Sequence, residues 1–243
     1  MTATEGMLIG GVGLTHLRVY HQRPGPDGVH AGCAHVHALT AEAYFGLAGE
    51  GAIELHDPET GFTRVPIVAG TYVQFPPGVV HRSVSTDHLE VLAIMGNGGL
   101  AERGDARIYF GADADDDPAA FARLEGLAAQ GLDGALERRD RSAHAYMGLM
   151  ALWEDDRDAW RAELGRFVDV HRAAIAADAP TFRQAIEARV MAPTLRTLEA
   201  IDGLEAARAG APRQWALGDA PETLGMCGIL RQVADLGPVG SRP

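Results

Sequence analysis

Two histidines one residue apart, His35 and His37, are followed by Glu42 and, about 40 residues later, by His81. On a strand, side chains alternate with period two, so His35 and His37 share a face. Glu42 can enter the same space after a short turn, and His81 can reach it from a separate strand. Three imidazoles and one carboxylate are donors for a borderline divalent transition metal (Fe, Mn, Ni, Cu, Co or Zn) rather than for Ca or Mg. The expected ligand distances are ~2.0–2.2 Å, and one such ion per chain is the expected cofactor. Metal-bound imidazoles need an acceptor for the second ring nitrogen, and Ser83, Ser85, Gln74 and Tyr44 flank the ligands closely enough to be candidates. Glu42, Tyr44 and His88 are the candidate catalytic residues: Glu42 as a base, Tyr44 beside the ligands, and His88 near His81 in the chain for proton transfer.

The elements that must position these residues differ between the two halves of the chain. Up to Gly111, short runs punctuated by Gly, Pro and Asp are expected as strands: Thr15–His21, Ala43–Ala48, Ala52–His56, Phe62–Val68, Thr71–Phe75, His81–Ser85, Leu89–Met95 and Ala106–Phe110. Strands at about 8–12-residue spacing indicate an antiparallel sandwich or barrel. Gly49-Glu50-Gly51 and Asp57–Gly61 read as hairpin turns, and Pro76-Pro77-Gly78 as a stiff turn ahead of His81. From Asp117 onward the pattern is helical. Asp117-Pro118 supplies an N-cap and a first-turn proline, Leu132–Trp153 carries apolar residues at helical spacing, and Asp156 caps a helix through about Ala177. Thr181–Met191, Pro193–Ala209 and a last short helix over Pro221–Val233 complete the reading.

At the ligands themselves the sequence resembles a known superfamily. His35-x-His37-x4-Glu42-x6-Gly49 is similar to the first conserved motif of the cupins, and Gly70-x5-Pro76-x-Gly78-x2-His81 to the second. The resemblance spans about residues 28–96. It implies that His35, His37, Glu42 and His81 bind one metal inside a small jelly-roll barrel. The entry to the first motif departs from the pattern, with Gly28 seven residues before His35 rather than six, and Ser85 stands where an asparagine often closes the second. The expected fold is therefore α+β. An N-terminal cupin jelly-roll β-barrel, residues 1–111, precedes an all-α C-terminal segment, residues 112–243, which packs on the barrel or forms an oligomer surface.

Composition excludes several alternatives. The chain has 243 residues and all 21 of its basic side chains are arginine. Without lysine there is no Schiff base, no pyridoxal phosphate attachment and no P-loop lysine. The net charge is −12, with 6 arginines against 11 acids up to residue 111 and 15 against 22 beyond it. Neither half is a basic module, so no nucleic-acid partner is expected. No stretch approaches 18 uninterrupted apolar residues and no cationic leader is evident, so the expectation is no membrane partner and a cytoplasmic location. Cys33 and Cys227 lack metal-finger spacing, and Cys33 reads as a small buried residue. The histidines outside the motifs, and the arginines Arg138, Arg139 and Arg141, read as packing residues and surface ion pairs. A four-ligand metal can bind a bidentate substrate or dioxygen, or polarise a carbonyl. The leading expectation is an oxidoreductase, a dioxygenase acting on a small oxygen-rich molecule. Behind it stand a metal-assisted isomerase, epimerase or lyase of a small sugar or organic acid, and a non-enzymatic ligand-binding cupin. A small-molecule substrate and a homodimer are the expected partners.

Overall fold

The structure is a computed structural model that describes residues 8–97, 99–204, 212–217 and 221–239. Seven strands come first: β1 (Gly13–Val19), β2 (His35–His37), β3 (Glu42–Asp57), β4 (Gly61–Ile67), β5 (Tyr72–Phe75), β6 (Val80–Met95) and β7 (Ala106–Ile108). The helical segment follows as α1 (Ala112–Asp115), α2 (Pro118–Glu125), α3 (Leu132–Asp155), α4 (Arg157–Ala174), α5 (Ala179–Ile186) and α6 (Ala192–Gly203). The chain then returns to strand in β8 (Arg213–Ala216), β9 (Thr223–Leu224), β10 (Gly228–Gln232) and β11 (Ala234–Pro238). Residues 205–209 of the helix expected over Pro193–Ala209 lie outside the described residues.

The two long strands organise the barrel. β3 and β6 pair with each other along most of their length. The first part of β3 also pairs with β5 and its second part with β4. Likewise the start of β6 pairs with β2, which pairs with β7, and its end pairs with β1. Each long strand thus serves two antiparallel walls, and the corner lies where the register shifts around Glu50, which faces both Asp87 and His88. Gly49-Glu50-Gly51, expected as a turn, is this bulge within a continuous strand. Gly49 sits at φ +69°, and a Cβ there would lie 2.2 Å from the Asp87 carbonyl oxygen, so only glycine lets the bend form. The Asp57–Gly61 hairpin forms as expected. Leu17, Tyr44, Ile53, Ile67, Phe75 and Val91 fill the space between the walls.

Strands do not stop at residue 111. The last helix expected over Pro221–Val233 is instead β9, a turn and β10, and β10 pairs antiparallel with β1. The open backbone edge of β1 explains the difference: a ladder with it satisfies amides that an exposed short helix would leave to water. Gly228 is required for that approach, because a Cβ would meet the Arg18 carbonyl oxygen at 2.1 Å.

The helices form where caps and apolar spacing place them. Asp117 accepts from the backbone of Ala119 and Ala120 at the start of α2, and Asp156 from Asp158 and Ala159 at the start of α4. α3 and α4 lay Tyr146, Leu149, Trp160, Leu164 and Phe167 against Ala34, Val36 and Val80 of the barrel. Arg138 and Arg139 are not surface groups, although Arg139 pairs with Asp140 (2.7 Å). Both are buried: Arg138 donates to the Leu224 and Gly225 carbonyls, and Arg139 to those of Ala31, Arg23 and Pro24. They fasten α3 to the C-terminal return and to the loop entering β2.

A polar relay crosses the same interface. The Trp160 indole N–H donates to His56 Nδ1 (3.1 Å), His56 Nε2 lies 2.9 Å from the Tyr146 hydroxyl, and that hydroxyl donates to Glu54 (2.9 Å). Because Trp160 supplies a proton to Nδ1, His56 is neutral with its own proton on Nε2. Burial pushes its pKa down to about 3. Two outcomes follow. Tyr146→Phe should cost about 1–3 kcal/mol in urea unfolding, since Glu54 and His56 lose a buried partner. His56 charges more readily unfolded than folded, so its contribution is complete above pH ~6.5 and fades towards pH 3, by up to about 1.4 kcal/mol per pH unit. NMR should accordingly find no His56 titration between pH 8 and 5, and a midpoint near 6.5 would contradict this burial.

Candidate metal centre

The cluster is built by register. β2 places His35 directly opposite His81 of β6, and His35 and His37 project from alternate positions of the same short strand. Glu42, the first residue of β3, follows the Ala38–Ala41 connection. That connection is pinned by Gly96 N–H to the Ala41 carbonyl and by Leu39 N–H to the Asp105 carboxylate. The His81 end of β6 is fixed by Pro76-Pro77-Gly78, where Gly78 N–H donates to the His37 carbonyl. All four side chains are buried, and one donor atom from each lies within 4.8 Å of the others.

The tautomers decide what this cluster wants. His35 Nδ1 lies 3.0 Å from the Cys33 carbonyl and His81 Nδ1 3.0 Å from the Val79 carbonyl, so each Nδ1 donates. Their Nε2 lone pairs then face inward. Burial, followed by the neighbouring His81 and His37, holds His35 well below the usual imidazole range, and therefore neutral. Burial by itself pushes the Glu42 carboxyl up, but His37 and His81 outweigh it and hold it well below the usual carboxylate range. Glu42 Oε2 is 3.0 Å from His81 Nε2 and 3.4 Å from His37 Nε2. Yet Glu42 Oε2 and His81 Nε2 are fully buried and joined by no hydrogen bond of acceptable geometry. Four buried donors converging this closely around an ionised carboxylate form the setting that holds a cation. The residues present fit a divalent transition metal.

The barrel fold and the buried donors within it match what the two sequence motifs imply. The chain folds as an antiparallel barrel-like sheet that encloses the donors of both motifs. Among solved structures, it is similar to an uncharacterized conserved protein with a double-stranded β-helix domain from Klebsiella pneumoniae (18% identity, 36% of this chain and 66% of that chain, TM-score 0.27). It is also similar to a variant of oxalate decarboxylase from Bacillus subtilis (20% identity, 49% of this chain and 28% of that one, TM-score 0.34). A third is Pac13, a nucleoside dehydratase (16% identity, 43% and 72%, TM-score 0.31). The chain thus spans less than two thirds of the length of the first two structures. No family model and no curated protein matches it.

Of the other candidate site residues, Tyr44 is buried on the same strand as Glu42 and His88 lies on the surface. Tyr44 is buried two residues after Glu42 on β3, receives a hydrogen bond from Ser83 (3.1 Å), and is raised well above its usual pKa by burial and then by Glu42. His88 lies on the exposed outer turn of the bulge, paired with Asp87 at 3.1 Å and with its ring tilted against that of His21 at 4.0 Å. Its nearness to His81 in sequence is undone by seven residues of extended strand. Ser85 and Gln74 also serve elsewhere: Ser85 bonds His21 and the Leu89 amide, and Gln74 accepts from Tyr72. Backbone carbonyls, not these side chains, orient His35 and His81.

Two residues near the centre carried no sequence signal. Asp105, wholly buried, has Oδ2 3.9 Å from His37 Nδ1, while its carbonyl accepts from His171 of α4 (2.8 Å). Cys227, from the turn before β10, packs in the interior cluster with Tyr44 and Phe75, and burial pushes its thiol up to about 12. Both reach the site through long-range packing that no local spacing encodes. Replacing His37 or His81 by Ala should reduce bound metal in elemental analysis at least tenfold, whereas His144→Ala, on the exposed face of α3, should leave it unchanged. Full occupancy in both ligand variants would contradict the assignment.

Proposed function

We propose that this protein is a metal-dependent cupin enzyme, an oxidoreductase of the dioxygenase type acting on a small oxygen-rich organic substrate in the cytoplasm. The observation that carries this reading is the donor set: three imidazoles and one ionised carboxylate, buried together. A bound ion would supply Lewis acidity and, if iron, manganese or copper, electron transfer. Glu42 would cancel one of that ion's two charges, leaving a net positive centre suited to an enediol- or diketone-type substrate. Tyr44, held protonated and oriented by Ser83, offers a hydroxyl to a substrate oxygen. Phe75, whose ring lies 4.6 Å from His81, and the surrounding apolar interior limit water.

Isomerase or lyase chemistry needs a group that takes up and returns a proton near pH 7. Tyr44 and Cys227 are held protonated, and His88 lies on the outside, so the surroundings favour a reaction carried by the metal. For a homodimer, the exposed Phe45 and Tyr72, opposite each other in register, offer an apolar face together with Leu47 and Val68.

The test is oxygen uptake by iron-, manganese- and copper-loaded protein across a panel of enediols, catechols and β-diketones. The expected result is substrate-dependent oxygen consumption that falls at least a hundredfold in Glu42→Ala. Exchange of substrate hydrogen with solvent deuterium without oxygen consumption would replace this reading with the isomerase one. Tight metal and ligand binding without turnover would replace it with a binding protein.

A further inference from the structure

A second concavity lies outside the barrel, against the connection that links two metal ligands. Its volume is about 350 Å³, and Leu39, Leu100, Phe182, Ile186 and Met191 supply most of its wall. None of the four metal ligands lines it. Its base is well built: Leu100, Phe182 and Ala185 are buried together, and the Asn97 amide donates to the Leu39 carbonyl (2.9 Å). At its edge, however, Leu39 and Met191 are 41% and 48% exposed. Apolar side chains on a concave surface of this volume are the ordinary lining of a small-molecule site.

The charged lining is one cation and one anion, Arg183 and Glu187. They stand four residues apart, a spacing that places side chains on one helical face with Cβ atoms about 5–6 Å apart. This spacing allows an ion pair, as Glu137 and Arg141 make on α3 (3.2 Å), and both Arg183 and Glu187 are exposed beside the apolar lining. Arg183 and Glu187 form no ion pair or side-chain hydrogen bond with each other or with any described residue. At Glu187 the helix changes type: the Glu187 N–H still bonds the Arg183 carbonyl, and Glu187–Met191 is a wide π-helical turn. Such turns are rare and occur often at functional sites. Here the turn carries both Glu187 and Met191, one charged and one apolar part of the lining.

A ligand that matches this lining needs an apolar body and, at one end, a carboxylate and an ammonium a few ångströms apart. A simple carboxylate would meet Glu187, and a simple amine Arg183, each at the cost of a like-charge contact. We propose that this pocket binds an apolar α-amino acid, with its side chain among Leu39, Leu100, Phe182 and Met191, its carboxylate on Arg183 and its ammonium on Glu187. The cavity volume suits a side chain the size of leucine or phenylalanine. This site is independent of the metal reaction, and its test does not depend on that reading.

Calorimetric titration of the full chain with L-leucine and L-phenylalanine tests it, with 3-phenylpropionate and 2-phenylethylamine as single-charge probes. Saturable 1:1 binding of at least one amino acid is expected, with both single-charge probes roughly tenfold weaker or more. Arg183→Ala and Glu187→Ala should each weaken the amino acid by roughly tenfold, and Met191→Trp, at a half-exposed position, should block the pocket. Thermal melts by circular dichroism establish that each variant is folded. No saturable binding up to about 10 mM, wild-type affinity in folded Arg183→Ala and Met191→Trp, or equal affinity for 3-phenylpropionate would each overturn the proposal.

Discussion

The convergence of three imidazoles and an ionised carboxylate in a water-poor interior is the constraint on which the rest of the structure depends. Such a cluster is unfavourable alone, because buried lone pairs and a buried charge without partners cost several kcal/mol. The fold fixes two of the rings, His35 and His81, through the far nitrogen. Cys33 and Val79 offer carbonyls to His35 and His81, and Asp105 stands behind His37. With the outer nitrogens of His35 and His81 committed, their inner nitrogens turn towards Glu42, and a divalent cation suits the arrangement.

The helices after Gly111 belong to this arrangement. Trp160, Tyr146 and Phe167 cover the outer face of the barrel, and the relay from Trp160 through His56 to Glu54 satisfies polar groups that burial would otherwise strand. His171 of α4 binds the carbonyl of Asp105, so the last link behind His37 is set by a helix rather than by the barrel. The buried guanidinium groups of Arg138 and Arg139 tie the helical layer to the β9–β10 turn and to the loop that enters β2. The barrel's metal-bearing strand is thus held from both sides. Among the described residues, no helix is long and apolar enough to cross a membrane.

Much of this was legible in the sequence, for physical reasons that differ from residue to residue. His35, His37, Glu42 and His81 were readable because strand alternation and two spaced motifs fix where their side chains go. Asp117 and Asp156 announced helix starts because capping is a local interaction. What failed was non-local. Gly49-Glu50-Gly51 reads as a turn, but the long partner strand β6 turns it into a bulge. Residues 221–233 have no strong local preference, and the unpaired edge of β1 recruits them. His88 is close to His81 in number, yet the strand between them carries it to the outer surface. Arg138 and Arg139 look like solvent-facing charges, and only the packing of α3 shows that carbonyls receive them. Asp105 and Cys227 approach the centre from parts of the chain that carry no motif.

X-ray absorption spectroscopy on the purified, metal-loaded chain tests the central claim most directly, because it reads the coordination shell without reference to activity. The account predicts a first shell of nitrogen and oxygen at ~2.0–2.2 Å, with the outer-shell scattering of three imidazole rings and no sulfur. A sulfur scatterer at ~2.3 Å, bringing Cys227 or Cys33 into the shell, or a shell with only one imidazole, would contradict it.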